Sequence, residues 1–149
     1  MKIAMGSDHG ALNLKKAVKD HLEAKGHEVV DFGTHTQESC DYPVYGKIAA
    51  EAVANGDCDC GIIMCGTGIG ISLAANKVKG IRCAVVSDCF SAEMTKMHNN
   101  ANMIALGERV VGTGLALKIV DAYLDAEFEG GRHERRVNLI TDIEKEYNK

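Results

Sequence analysis

Short unbroken apolar runs alternate along this chain with longer stretches whose apolar positions recur every three to four residues. Residues 2–5 form the first run and read as a buried strand. From Ala11 to Lys25 the apolar positions Leu14, Ala17, Val18 and Leu22 keep a helical period, and Gly26 ends it. Residues 28–32 read as a second short strand, followed by a polar loop through Asp41. Tyr42-Pro43 opens a helix that runs to about Ala54, with Pro43 in the first turn, where proline is tolerated, and Asn55-Gly56 as the stop. The same reading gives strands at 60–64, 81–86 and 102–106, and helices at 68–77, 90–98 and 112–125. Glu129-Gly130-Gly131 breaks the pattern before a last helix at about 133–147. No repeat, linker or low-complexity segment interrupts it.

Strands that alternate with helices imply right-handed βαβ units. The expected fold is therefore α/β. It is a doubly wound, Rossmann-like, five-stranded parallel sheet with helices on both faces and an extra C-terminal helix. In the common strand order 2-1-3-4-5, strands 1 and 3 are neighbours and the chain reverses direction between them. Ligands bind at that switch point, outside the carboxyl ends of the strands. Asp8-His9 follows strand 1 and Cys65-Gly66-Thr67 follows strand 3, so the topology predicts that these two turns meet.

Composition narrows the class. The 149 residues suit one domain, 1–149, and 46% apolar with 26% charged residues is an ordinary globular profile. The net charge is −4 and no basic run reaches five residues, which argues against a nucleic-acid partner. No apolar run approaches a membrane span. The N-terminus enters a strand at once, with no signal-peptide pattern, so the expected location is the cytoplasm. The six cysteines then read as free thiols. Cys58-Asp59-Cys60 is not CxxC and no second pair stands at zinc-site spacing, so no metal is expected.

The stretch 61–72 carries the chemistry. An apolar strand meets Cys65, then Gly66-Thr67-Gly68-Ile69-Gly70, then a helix start. Unpartnered amides at a helix N-terminus favour negative charge, and glycines let the backbone approach a ligand. A thiol there tends to ionise more readily. The alternative is a buried cysteine ending a strand before a tight turn. The turn is not a dinucleotide fingerprint: Gly66 and Gly68 fit GxGxxG, but Ile71 stands at the third position. There is no GxxxxGK[ST] either, so a small phosphorylated ligand fits better than a nucleotide. Arg132 and Arg136 are four apart and share a helix face able to hold a phosphate, or to be a solvated helix end. Arg109 leaves strand 5 at the ligand edge, where an ion pair with Glu108 is an equal alternative. Tyr42 is a packing aromatic or a pocket hydroxyl. His98 ends the fourth helix, as a cap, a surface residue or a functional group. Helices run antiparallel to the strands, so His98 should lie at the opposite edge from its own Cys65. If both act on one substrate, a second subunit supplies one of them, as in a two-fold dimer with shared sites.

Together these motifs resemble ribose-5-phosphate isomerase type B, a family that also holds galactose-6-phosphate isomerase subunits. The residues are Gly-Ser-Asp-His-Gly at 6–10, Asp-Tyr-Pro at 41–43, Cys-Gly-Thr-Gly-Ile-Gly at 65–70 and Ala-Asn-Lys at 75–77. His-Asn at 98–99, Gly-Glu-Arg-Val-Val-Gly at 107–112 and Glu-Gly-Gly-Arg-His-Glu-Arg-Arg-Val at 129–137 complete the set. The resemblance spans essentially the whole chain. It implies a cofactor-independent aldose–ketose isomerase acting on ribose 5-phosphate and ribulose 5-phosphate through a cis-enediolate. Hexose 6-phosphates of the allose/allulose or galactose/tagatose type, or the free rare sugars, are the alternative substrates. It implies Cys65 as base and Thr67 as proton carrier between the oxygens. The amides of Gly66, Gly68, Ile69 and Gly70 would hold the oxyanion, and His98 from a partner subunit would open the sugar ring. Asp8, His9 and Asn99 would bind hydroxyls, with Tyr42 at the pocket. Arg132 and Arg136, with Arg109, would hold the phosphate. The implied assembly is a homodimer, or a tetramer of such dimers. Gly10 departs from relatives that carry a side chain there.

Overall fold

A computed structural model describes residues 1–148. Its five strands are β1 (Lys2–Ser7), β2 (Glu28–Asp31), β3 (Cys60–Cys65), β4 (Cys83–Val85) and β5 (Met103–Gly107). The helices are α1 (Leu12–Ala24), α2 (Tyr42–Ala54), α3 (Ile69–Ala75), α4 (Cys89–Asn99), α5 (Thr113–Asp125) and α6 (Arg132–Tyr147). All four strand pairings are parallel. Elements and boundaries follow the periodicity closely. One short turn escapes it: His9–Ala11 forms a 3-10 turn before α1, capped by the Asp8 carboxylate, which accepts from Gly10 N–H at 2.9 Å.

The strand order is β2-β1-β3-β5-β4 rather than 2-1-3-4-5. Strands 1 and 3 are neighbours as expected, but the last two exchange places. Burial explains the exchange. Every residue of β5 is buried, whereas β4 is three residues long and opens from buried Cys83 to exposed Val85. The more apolar strand takes the interior and the shorter one becomes the edge, as parallel sheets require.

The exchange also distributes the helices. Right-handed crossovers put α2 and α3 on one face and α1, α4 and α5 on the other. Two cores result. Ile3, Met5, Ile62, Met64, Ile104 and Leu106 pack with Leu14, Val18 and Leu22 of α1 and with Ile119, Val120 and Tyr123 of α5. On the reverse face Ala4, Ile63, Cys65, Met103 and Ala105 pack with Ala49, Ala50 and Val53 of α2 and Ile71 of α3. Each large aliphatic side chain fully buried in this way contributes about 1.5–3 kcal/mol. The Tyr123 hydroxyl, buried under α5, donates to Ala101 O at 2.7 Å. α6 packs on α4.

One ion pair is taken into the structure. Lys15 is 5% exposed and its Nζ lies 3.0 Å from Asp31 Oδ1. It also donates to Thr34 O, while Asp31 Oδ1 accepts from Gly33 N–H at 2.9 Å. These bonds tie α1 to the end of β2 and the loop that follows. Removing one partner of such a pair leaves an uncompensated charge, which costs about 3–5 kcal/mol. Lys15→Met should therefore lower unfolding free energy by about 3 kcal/mol in urea melts.

Candidate active site

The two turns expected to meet do so. Met64 O accepts from Asp8 N–H at 3.3 Å, and a Cβ placed on Gly10 would stand 3.5 Å from Gly66 N. A third turn, after β5, closes on them. Glu108 N–H donates to Cys65 O and Arg109 N–H to Gly66 O, both at 3.0 Å. Gly107 permits this approach, since a Cβ on it would lie 2.6 Å from the Thr67 carbonyl. Gly68 carries φ +79, and a Cβ there would meet the Leu106 backbone at 2.8 Å. Only glycine tolerates both constraints.

Within this frame Cys65 ends β3 at 5% exposure, and its Sγ lies 3.1 Å from Gly68 N, which donates to it. The sulfur therefore faces the Gly68 amide of its own turn. Thr67 is exposed, and its Oγ1 accepts from Ile69 N–H at 3.2 Å. Two of the amides expected to hold an oxyanion, those of Gly68 and Ile69, are thus bonded within the loop. The Tyr42 phenol lies over α3: a Cβ on Gly70 would stand 2.6 Å from Tyr42 Cζ. Tyr42 remains 40% exposed.

Asp8 is buried, and half-buried His9 accepts from Cys40 N–H at Nδ1, 3.2 Å away. Arg109 does not pair with Glu108. Glu108 turns away and accepts from Leu14 N–H at 2.6 Å, while the Arg109 guanidinium lies over Gly66, its NH1 3.2 Å from a Cβ placed there. Among the described residues no carboxylate lies within ion-pair distance of Arg109, so an exposed cation stands beside the glycine turn.

His98, Asn99, Arg132 and Arg136 are not at this edge. The last turn of α4 meets Arg82, just before β4, whose Nε and NH2 donate to Asn99 O at 3.0 Å and Asn100 O at 2.8 Å. α6 begins at the same place, and Arg132, Arg136 and Asn99 are exposed there. A groove of about 590 Å³, lined in part by Arg82, Asn99, Ile140, Ile143 and Tyr147, also lies on this side. The candidate residues therefore fall into two groups at opposite edges of the sheet, as the antiparallel run of the helices requires.

One constellation was not expected. His98, Glu129 and His133 bring their ligand atoms within 4.8 Å of one another. Their spread over 36 positions hid them, since they meet only because α6 folds back on α4. The cue in the sequence was Gly130-Gly131, which take φ +69 and +56 and turn the chain sharply.

Three further cysteines, Cys58, Cys60 and Cys83, are buried. Burial pushes Cys60 and Cys83 up to about 12 and raises Cys58. Such thiols are inert at neutral pH. All six cysteines are free.

The comparisons with known proteins agree with this fold. Ribose-5-phosphate isomerase B of Escherichia coli is 52% identical over 147 residues, covering 99% of each chain. The solved structure of Clostridium thermocellum ribose-5-phosphate isomerase B superposes with a TM-score of 0.98 at 60% identity, over 99% of each chain. A structure of the Mycoplasma genitalium ribose-5-phosphate isomerase B, with ribulose-5-phosphate bound, gives a TM-score of 0.93 at 44% identity over 97% of each. The family described as Ribose/Galactose Isomerase matches residues 3–140. With sequence and fold in accord, the chain belongs to the ribose/galactose isomerase family.

Proposed function

We propose that this protein interconverts D-ribose 5-phosphate and D-ribulose 5-phosphate, with Cys65 as the base and a cis-enediolate as intermediate. The observation that carries the reading is the Cys65 sulfur, aimed at the Gly68 amide 3.1 Å away in a turn flanked by Asp8, His9 and Arg109. A donor so placed holds the sulfur within the turn. The thiolate takes the proton from C2 of the open aldose. The C2 electrons form the C1–C2 double bond, and the carbonyl electrons move onto O1. A proton then passes from O2 to O1, a transfer suited to the exposed Thr67 hydroxyl, whose oxygen is already held by Ile69 N–H. The thiol returns its proton to C1 and the ketose forms. A base positioned in this way is worth about 10²–10⁴ in rate, and each fixed donor at the oxyanion about 10²–10³.

Ribose 5-phosphate is a ring in solution, so a further step must precede this one. The C1–O4 bond breaks, O4 takes a proton from His98, and the anomeric hydroxyl gives its own proton to water as the aldehyde forms; His98 is reprotonated from that water. His98 belongs to the partner subunit in this scheme, together with Asn99, Arg132 and Arg136. Arg132 and Arg136 hold the phosphate, with Arg109 beside the loop, while Asp8, His9 and Tyr42 line the sugar's path. The homodimer is supported by the two separated half-sites. It is also supported by exposed apolar side chains near the Cys65 edge: Ile69 at 53%, Phe90 at 71% and Val110 at 57%. Six free thiols suit the reducing cytoplasm.

The test is kcat/KM across ribose 5-phosphate, allose 6-phosphate, galactose 6-phosphate and the corresponding free sugars. Ribose 5-phosphate should lead by at least about tenfold, the discrimination that one extra sugar carbon in a fitted pocket provides. A hexose phosphate in first place would replace the pentose reading. A free sugar in first place would remove the role given to the arginines.

A further inference from the structure

Glu129 and His133 take no part in the steps above, yet both touch the residue given the ring-opening role. Glu129 Oε1 lies 3.4 Å from His98 Nε2, and its Oε2 lies 3.9 Å from His133 Nε2. The two imidazoles are stacked, with centroids 4.2 Å apart and planes 6° from parallel. The His133 side chain is 9% exposed, so its ring is a fixed wall for His98. The main chain that carries the carboxylate is fixed on both sides: Glu129 N–H donates to Met97 O at 3.1 Å, and His133 N–H donates to Gly130 O at 3.0 Å. The two positive-φ glycines between them make this fold-back possible.

A metal ion is a poor occupant for this cluster. An imidazole binds an ion in its own plane, and two parallel rings stacked at this spacing have no in-plane point in common. What the arrangement can do is fix a proton. A carboxylate facing Nε2 favours the proton on that nitrogen, which leaves Nδ1 as the nitrogen free to exchange a proton with substrate. Two stacked rings resist carrying two charges. Burial first, then the neighbouring His98, Arg132 and Arg136, lower the proton affinity of His133, while Glu129 acts in the opposite sense. His133 thus stays neutral beside the His98 ring.

We infer that Glu129, backed by the stacked ring of His133, is a positioning residue that sets the tautomer and orientation of His98 for ring opening. The inference rests on the ring-opening role proposed above for His98. It gives a reason for Glu129, Gly130, Gly131 and His133 as one unit rather than as neighbours of two arginines.

The experiment compares wild type, Glu129→Gln and His98→Asn as intact assemblies. Each is assayed on ribose 5-phosphate and on erythrose 4-phosphate, whose phosphorylated O4 prevents ring closure. The His98 tautomer is read by ¹⁵N NMR in wild type and Glu129→Gln. Glu129→Gln should lose about tenfold or more in kcat/KM on ribose 5-phosphate and under about threefold on erythrose 4-phosphate, a share of what a general acid contributes. Its His98 should shift away from the Nε2–H form. His133→Phe, which keeps the stack, should stay within about threefold of wild type. Equal losses of Glu129→Gln on both sugars, no loss on ribose 5-phosphate, or an unchanged His98 tautomer would each overturn the inference. If His98→Asn fails to spare erythrose 4-phosphate, the ring-opening role itself is wrong. The tautomer measurement needs no turnover, so it still decides whether Glu129 positions the ring.

Discussion

Cys65→Ala should lower kcat for ribose 5-phosphate by about 10²–10⁴-fold while leaving the fold in place. The substitution removes one sulfur from a residue whose neighbours are otherwise unchanged. The cost to stability should be on the order of 1 kcal/mol, like the loss of a methyl-sized group from a packed site. The cost to activity is far larger because no second base stands in the turn. The carboxylates on the adjoining turns are engaged: Asp8 Oδ1 accepts from Gly10 N–H and Glu108 Oε1 from Leu14 N–H. Cys65→Ser should be nearly as inactive, since a hydroxyl is a much weaker acid than a thiol and the Gly68 amide alone will not ionise it. The measurements are kcat, the thermal melt, and exchange of the C2 proton with deuterated water. Activity within about tenfold of wild type in Cys65→Ala, with exchange intact, would remove the sulfur from the mechanism.

The same residues show what the sequence makes legible and what it conceals. Strands and helices could be placed because each is local: the apolar run of β3 and the three-to-four spacing of α1 carry their own signal. The meeting of the Asp8 and Cys65 turns was also legible, because it needs only strands 1 and 3 side by side. The order of β4 and β5 was not, since no local pattern says which strand lies next to which. A comparison of their flanks would have helped. Arg82 and Ser87-Asp88 bracket β4 with polar residues, as suits an edge, whereas Met103 to Leu106 is apolar throughout. The Arg109 alternative was decided by something the sequence does not contain, the turn of Glu108 towards Leu14 N–H. The cluster of His98, Glu129 and His133 depends on the packing of α6 against α4, a contact between helices that no periodicity predicts.

Separation of the half-sites leads to the last expected result. If the assembly is the proposed homodimer, Cys65→Ala and His98→Asn should each be impaired, the first by the loss of proton abstraction and the second by about 10²-fold through ring opening. Mixed by unfolding and refolding at equal concentrations, they should regain about a quarter of wild-type activity. Random pairing makes half of the dimers mixed. In a mixed dimer with shared sites, one site draws its Cys65 from the His98→Asn chain and its His98 from the Cys65→Ala chain, and is complete. The other site carries both defects. Half of the dimers with one of two sites working gives one quarter. If each chain instead built its site alone, every site in the mixture would keep one defect, and mixing would yield only the average of the two parents. The His98→Asn residual sets that baseline at about a hundredth of wild type, so the two outcomes differ by more than tenfold. The fold favours the first outcome for a plain reason. The end of β3 and the end of α4 lie at opposite edges of one sheet, and no loop within a chain carries His98 to Cys65. A second copy turned over by a two-fold axis brings the other edge to it.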